Sequence, residues 1–408
     1  MRLRGQRLPR RAAAWVLPLA LMLGGCGSAT TGGNTSVIVK GATLTIDLGQ
    51  PVGGAASEPA RDVLAAEQLA FAESGGKAGP YTLRLRTLGG RTLSDNARAA
   101  IADPSSIAYL GELVPGTSQV SVEIVNQQGL LQVSPLDTAA YLTQPVPPVA
   151  DSVQAFYPGH ITYHETFARV VPSSAQEARA IVAELQSEHV SSLYVADDGQ
   201  RYGATLAIEV RAAAKAAGLT VAGGPPGDPS CSTARCLGSA QGAFYGGNLA
   251  SPSSRAAATH FFDQAAASSP NIKLFAPSGL YDPAFTAALS PAARQRLVVS
   301  SPGFTAGKLP PAGSAFSAAF ASAYHHAPAP QAVFGYEAMK AVIAVLQSAG
   351  RNAASRASVV ARFRTLTRTG TAIGNYTIKG GDSSLAPFVF AHVRMGALVP
   401  FRFASPAG

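Results

Sequence analysis

Thr117 and Ser118 stand where a short apolar strand gives way to a helix. The first turn of a helix leaves backbone N–H groups free and exposes the positive end of its dipole, so this junction is an anion site suited to a carboxylate. Thr117 can equally serve as a plain helix cap. His160 and His164, four apart and followed by Glu165, have the residue types of a metal site. After Pro158-Gly159, however, the pattern reads as strand or loop, and on a strand residues four apart stand about 13 Å from each other. His325-His326 sits in an Ala/Pro loop, and Asp197-Asp198 are adjacent loop residues whose carboxylates face different ways. There is no Gly-x-Ser-x-Gly elbow, no phosphate loop ending in Gly-Lys-Ser/Thr and no dinucleotide fingerprint after a strand. No catalytic constellation, metal site or cofactor site is therefore expected, and the chain does not read as an enzyme.

The elements that must position Thr117 and Ser118 alternate in a regular cadence. Residues 43–48 (TLTIDL) read as a strand. Glu58-Pro59 opens a helix to about 74, with proline at the first turn and Gly75-Gly76 closing it. A strand follows at 81–88, a helix at 94–102, a strand at 107–110, a helix at 117–127 capped by Gly129, and a strand at 130–133. Strand, helix, strand at this rhythm means βαβ crossovers and a parallel sheet. The rhythm restarts at Ser174, which with Glu177 has the spacing of a capping box, followed by an apolar stripe at Ala178, Ile181, Val182 and Leu185. Strands at 193–196, 219–222, 241–245 and 272–275 and a helix at 202–217 complete a second α/β unit. In open parallel sheets ligands bind beyond the carboxyl ends of the strands, so the loops after strands are the ones to read.

The amino terminus reads as an address. Residues 1–11 carry Arg2, Arg4, Arg7, Arg10 and Arg11, and residues 12–23 (AAAWVLPLALML) form an apolar run of signal-peptide length, short of the ~20 residues of a membrane span. Leu23-Gly24-Gly25-Cys26 has the pattern of a bacterial lipoprotein signal, in which the cysteine is acylated and becomes the first mature residue. Residues 26–36 then form a polar tether, and the chain is expected to be exported and lipid-anchored at the outer face of the cytoplasmic membrane. The formal charge of +9 would point towards nucleic acid. Setting aside the five leader arginines leaves 27 basic against 23 acidic residues, a net of +4, with no basic stripe interleaved with aromatics. No nucleic-acid partner is expected. With Cys26 lipidated, Cys231 and Cys236 remain, separated by four residues in a Gly/Pro/Ser-rich loop. In an oxidising compartment they are expected to form a local disulfide, and no His or second Cys pair is near enough to suggest metal.

The loops after the strands carry a resemblance. The stretch YLGELVPGTSQ at 109–119, then NQQGLLQVSPLDT at 126–138, resembles the type I periplasmic-binding fold, specifically the leucine/isoleucine/valine-binding branch that serves ABC transporters. DVLAAEQLAFAE at 62–73, DDGQRYGATL at 197–206, FYGGN at 244–248, FAPSG at 275–279, the segment 330–350 and IGNYTI at 373–378 agree in order and spacing. The resemblance implies an α/β fold of two similar lobes, each a parallel-sheet βαβ sandwich, joined by three crossovers. Lobe 1 would comprise 37–171 plus 302–369, and lobe 2 would comprise 172–301 plus 370–408. A ligand in the cleft would be clamped by hinge closure.

The same resemblance assigns site residues. Thr117 matches the carboxylate-binding hydroxyl, next to Ser118. Leu136, Asp137 and Thr138 fall where the head group of an amino acid is held; Asp137 departs from the small residue usual there, and either pairs with an ammonium or is a turn residue. Tyr202 takes the aromatic position at the opening of a lobe 2 helix, and Asn248 a wall position. Ser278 lies where amino-acid binders carry an acidic residue for the ammonium, the weightiest departure. The implied function is an extracytoplasmic solute-binding lipoprotein delivering a small polar ligand, foremost a branched-chain or other amino acid, to an ABC permease. A sensing subunit of the same fold, binding an amide or another solute that is not an amino acid, is the alternative, and a surface hydrolase a third for which no nucleophile and base are found.

Overall fold

A computed structural model describes residues 36–52, 57–223 and 237–405. Cys26, Cys231 and Cys236 lie outside them. The first sheet takes β1 (Thr43–Gly49), β2 (Lys77–Ala78), β3 (Tyr81–Leu88), β4 (Ser106–Leu110), β5 (Leu131–Ser134) and β6 (Phe167–Arg169) in the order β2-β3-β1-β4-β5-β6. All are parallel except the short β2, which turns back on β3. β1 sits centrally, with Leu44, Ile46 and Leu48 on one face and Thr45 and Asp47 on the other, all fully buried. Burial on both faces is what crossover helices impose on a parallel strand. Those helices are α1 (Glu58–Ala72), α2 (Leu93–Ala102) and α3 (Ser118–Val125). α1 begins as its sequence requires: Ser57 accepts from Ala60 N and proline occupies the first turn.

The segment with two histidines is a single helical turn, α4 (His160–Tyr163), and not a strand. Gly159 N donates to Asn126 Oδ1, which starts the turn, and His164 ends it in the left-handed region. Among the described residues no three His, Cys, Asp or Glu side chains gather as a metal site.

The second sheet follows α5 (Ser174–Ser187) and interleaves β7 (Ser192–Asp197), α6 (Arg201–Ala216), β8 (Thr220–Ala222), β9 (Gly242–Gly246), α7 (Pro252–Ser268), β10 (Lys273–Ala276), α8 (Pro283–Ala288), α9 (Pro291–Arg296) and β11 (Leu297–Pro302). The capping box of α5 lies one residue earlier than the sequence suggests: Ser173 pairs with Gln176. This frees Glu177 to turn inward, where it is fully buried.

From Pro302 the chain returns to the first sheet through α10 (Pro311–Tyr324), α11 (Ala332–Ala349) and α12 (Arg356–Phe363). Phe316, Phe334, Met339, Val342, Leu346 and Phe363 from these helices share one core with Leu44 and Ile46. A small antiparallel sheet follows, β12 (Thr367–Thr371), β13 (Gly374–Lys379) and β14 (Asp382–Ser383). The segment expected to join lobe 2 from residue 370 divides. Ala372 and Ile373, in the turn before β13, pack into the first core with Tyr376 and Ile378, which β13 alternates with exposed residues. β15 (Phe388–Arg394) and β16 (Ala397–Ala404) then extend the second sheet, antiparallel beside β11, in the order β16-β15-β11-β10-β9-β7-β8.

Arg169, at the end of β6, is fully buried and ties three pieces of chain together. Its guanidinium donates to Ala139 O at 2.7 Å and to Asp137 O at 3.3 Å, and its Nε lies 3.1 Å from Asp382 Oδ1. Removing the guanidinium leaves two buried carbonyl oxygens without their donor, at about 1–3 kcal/mol for each unmet group. Arg169→Met should therefore lower the unfolding free energy from urea titration by that amount, read by circular dichroism. A change within 0.5 kcal/mol, about the size of an inert surface substitution, would show the guanidinium to be dispensable.

Candidate functional site

The loops beyond β4 and β5 meet through one carboxylate. Asp137, fully buried, accepts from Gly116 N and Ser118 N at 2.7 Å each and from Ala139 N at 2.9 Å. The free N–H groups and positive dipole at the start of α3 are thus matched by an anion, but the anion belongs to the protein. Thr117 makes no side-chain cap; its hydroxyl donates back to Val114 O at 2.7 Å. Ser118 Oγ accepts from Glu112 N, and Ser134 Oγ accepts from the N–H groups of Leu136 and Asp137. Most donors of these loops are satisfied from within.

Across the cleft, α6 presents Tyr202 in its first turn, buried at 2% exposure. Its hydroxyl stands 3.2 Å from Thr138 Oγ1 and 3.5 Å from Ser278 Oγ, a chain of three hydroxyls running from one sheet's loops to the other's. Gly116 has φ +84°, and a Cβ there would overlap Tyr202, so both backbone freedom and the lack of a side chain are used at this position. Asn248 Nδ2 donates to Pro115 O at 2.7 Å, and Arg201 lies over the rings of Tyr141 and Phe156. Beneath Ser278, Glu177 accepts from Ser278 N at 2.6 Å, Ser278 Oγ at 2.8 Å and Ser300 Oγ at 2.6 Å.

Beside these contacts lies a cavity of about 150 Å³. One wall holds Glu112, Leu113, Pro115, Thr117 and Leu136; the facing wall holds Leu249, Arg255, Ser278, Tyr281 and Asp282; Pro302 and Gln331 close the side where the chain passes between the sheets. Glu112 is 1% exposed, accepts from Tyr109 Oη at 2.6 Å, and has its carboxyl pushed up to about 7, chiefly by burial.

A family model described as periplasmic binding protein matches residues 43–390. The chain belongs to this family. Solved structures agree on the fold at low identity. The leucine binding protein LivK of Thermotoga maritima has a TM-score of 0.70 at 18% identity, covering 89% of this chain and 99% of its own. LivJ of Streptococcus pneumoniae, in complex with isoleucine, has 0.66 at 13%, covering 89% and 100%. An R. palustris ABC transporter solute-binding protein in complex with benzoate has 0.65 at 17%, covering 90% and 97%. No curated protein matches.

In this periplasmic binding protein the eight sequence-derived positions fall into two groups. Thr117, Leu136 and Ser278 line the cavity. Ser118, Asp137, Thr138, Tyr202 and Asn248 instead bind the two walls to each other or to themselves. Asp137 is neither a solvated turn residue nor free to pair with an ammonium, because three backbone N–H groups occupy it. Asp197 and Asp198 are turn residues that accept from Gly199 N and Gln200 N ahead of α6. Sequence reasoning missed Glu112, Glu177 and Gln331; a Glu directly after a strand-end glycine was a visible signal for the first.

Two outcomes are expected. Asp137→Ala leaves three buried donors without an acceptor, at about 1–3 kcal/mol for each unmet group, so calorimetric unfolding should show a loss of about 3 kcal/mol or more. The second concerns pH. Glu67 (well above its ordinary value), Glu112 (about 7) and Asp198 (about 6) are all raised by burial. Each keeps a proton in the folded state that the unfolded chain gives up at about pH 4, so folding stability falls as pH rises from there through the raised values. The melting temperature should therefore be lower at pH 8 than at pH 5, and Glu112→Gln should flatten the dependence. A melting temperature that rises across that range would contradict this assignment.

Proposed function

We propose that the protein is an extracytoplasmic solute-binding protein that closes its two lobes over a small molecule, foremost an amino acid, and delivers it to an ABC permease. The observation that carries this reading is the cavity, walled by the loops beyond β4 and β5 on one side and by the segments after β9 and β10 on the other. A ligand touching both walls stabilises the closed arrangement, which is what a capture device requires. Solved structures of similar fold, a leucine binding protein and two binding proteins in complex with isoleucine and with benzoate, support a small acid or amino acid as the class. The hinge in this reading is the set of three strands of chain near 170, 302 and 385. Cys26 anchors the protein through lipid, and among the described residues no helix is long and apolar enough to cross a membrane.

Thermal shift against amino acids and small aromatic acids finds the ligand, since occupancy at 100 times Kd adds about 2.7 kcal/mol. Small-angle scattering then reads closure as a fall in radius of gyration on adding that ligand. Tyr202→Ala removes the hydroxyl link and the ring over Gly116. It should weaken the ligand at least about tenfold, or about 1.4 kcal/mol, and shift scattering towards the open form. Export of Cys26→Ala should release the protein from membranes; its persistence there after a high-salt wash sinks the anchor, and an unchanged radius of gyration with a bound ligand sinks closure.

A further inference from the structure

Donors and acceptors around the cavity are not balanced. Of the hydroxyls on its walls, Thr117 donates to Val114 O and Ser278 donates to Glu177, so those two protons are committed inside the protein, while Ser57 and Tyr281 also line the cavity. The positive end of α3 is occupied by Asp137. On the lobe 2 wall, Arg255 Nη1 lies 3.5 Å from Asp282 Oδ1, a cation already facing an anion. Two buried acceptors stand out. Gln331 is 3% exposed, and its Oε1 is buried with no hydrogen-bond partner among the described residues. Glu112 is 1% exposed, and among the described residues no Lys or Arg forms an ion pair with it. A buried acceptor without a donor is costly, and an unpaired buried carboxylate more so. A ligand that brings several N–H donors and a positive charge satisfies Gln331 Oε1 and favours the ionised form of Glu112.

We propose that Glu112 and Gln331 form an ammonium subsite, and that the ligand is a small primary amine with an apolar body, either an α-amino acid or the plain amine. This rests on the reading of the cleft as a solute site. The ammonium sits between the Glu112 carboxylate and Gln331 Oε1, and its body lies against Leu113, Leu136 and Tyr281. An engineered apolar cavity of similar volume in another protein holds benzene, so a body of about six heavy atoms fits. For an amino acid, Arg255 is the cation on the facing wall for the carboxylate. Neither Ser278 nor Asp137 takes the ammonium: the first already donates to Glu177, and the second is closed by backbone.

Titration calorimetry with three matched probes tests this: L-leucine, 3-methylbutylamine and isovalerate. The amine-bearing probes should bind at least tenfold more tightly than isovalerate. Leucine ahead of 3-methylbutylamine identifies an amino acid; the reverse identifies a plain amine. Glu112→Gln keeps the acceptor for Tyr109 and should lower 3-methylbutylamine affinity at least tenfold, with isovalerate unchanged. Gln331→Leu, a second route should the first variant fold poorly, should lower it about fivefold. The groups facing Glu112 are Tyr109 on β4, which Glu67 on α1 also reaches electrostatically, Ser121 on α3, and Asp137 after β5. None supplies a positive charge, so the amine must bind the ionised carboxyl, and its affinity should be about tenfold lower at pH 6 than at pH 8, given a free-state value of about 7. The subsite is overturned by isovalerate binding as tightly as the amines, by amine affinity within twofold in Glu112→Gln, or by no binding of either amine at millimolar concentration. Scattering closure with another solute from the thermal-shift panel would leave the solute-binding reading standing in each of those cases.

Discussion

The Asp137 carboxylate holds the binding wall of the first lobe in shape. Two loops that are separate in sequence, one beyond β4 and one beyond β5, carry backbone donors that converge on it. A helix start left without an anion would attract one from solution. Here the protein supplies its own, and Arg169 holds the carbonyls on the far side of the same loop. Anion and cation thus brace one turn of chain from opposite sides. Everything the wall presents, including Gly116 under the ring of Tyr202, depends on that turn being rigid.

The second lobe repeats the device with other atoms. Glu177 is as buried as Asp137 and is satisfied by two serine hydroxyls and one backbone N–H. Burial raises its proton affinity while the three donors oppose the rise. Both lobes therefore carry an interior carboxyl whose partners are the very groups expected to meet a ligand. Consuming those groups leaves the cavity with a different polarity: acceptors at Glu112 and Gln331, and an Arg255–Asp282 pair at the facing wall.

Directional bonds between the lobes add to an apolar cluster that joins Val122, Tyr141 and Phe167 of the first to Tyr202, Leu206 and Phe275 of the second. The Thr138–Tyr202–Ser278 chain and the Asn248–Pro115 bond join loop to loop. Hydrogen bonds of this kind are worth about 1 kcal/mol each, because water replaces them when the cleft opens. Bonds of this kind can be broken and remade at modest cost, which suits a protein that must release what it captures.

Most of the fold was legible in the sequence because it is written in local patterns. The alternation of apolar strands with capped helices names two parallel α/β units. Proline at the start of α1 and the capping residues mark their boundaries within a few positions, and the strand-end loops name Thr117, Thr138, Tyr202 and Ser278 as neighbours of the cleft. What each of these residues touches was decided by tertiary structure. Asp137 and Ser118 are 19 residues apart, and Ser278 and Glu177 are 101 apart, so no window of sequence joins them. The one-residue shift of the α5 cap turns Glu177 inward only because Ser278 and Ser300 wait there. Gln331 enters the cavity from the chain's return to the first lobe. The sequence sets which residues form helices and strands, since that depends on neighbours three or four positions away. Which donors remain for a ligand depends on groups brought together by folding, and these are satisfied in space, not in order along the chain.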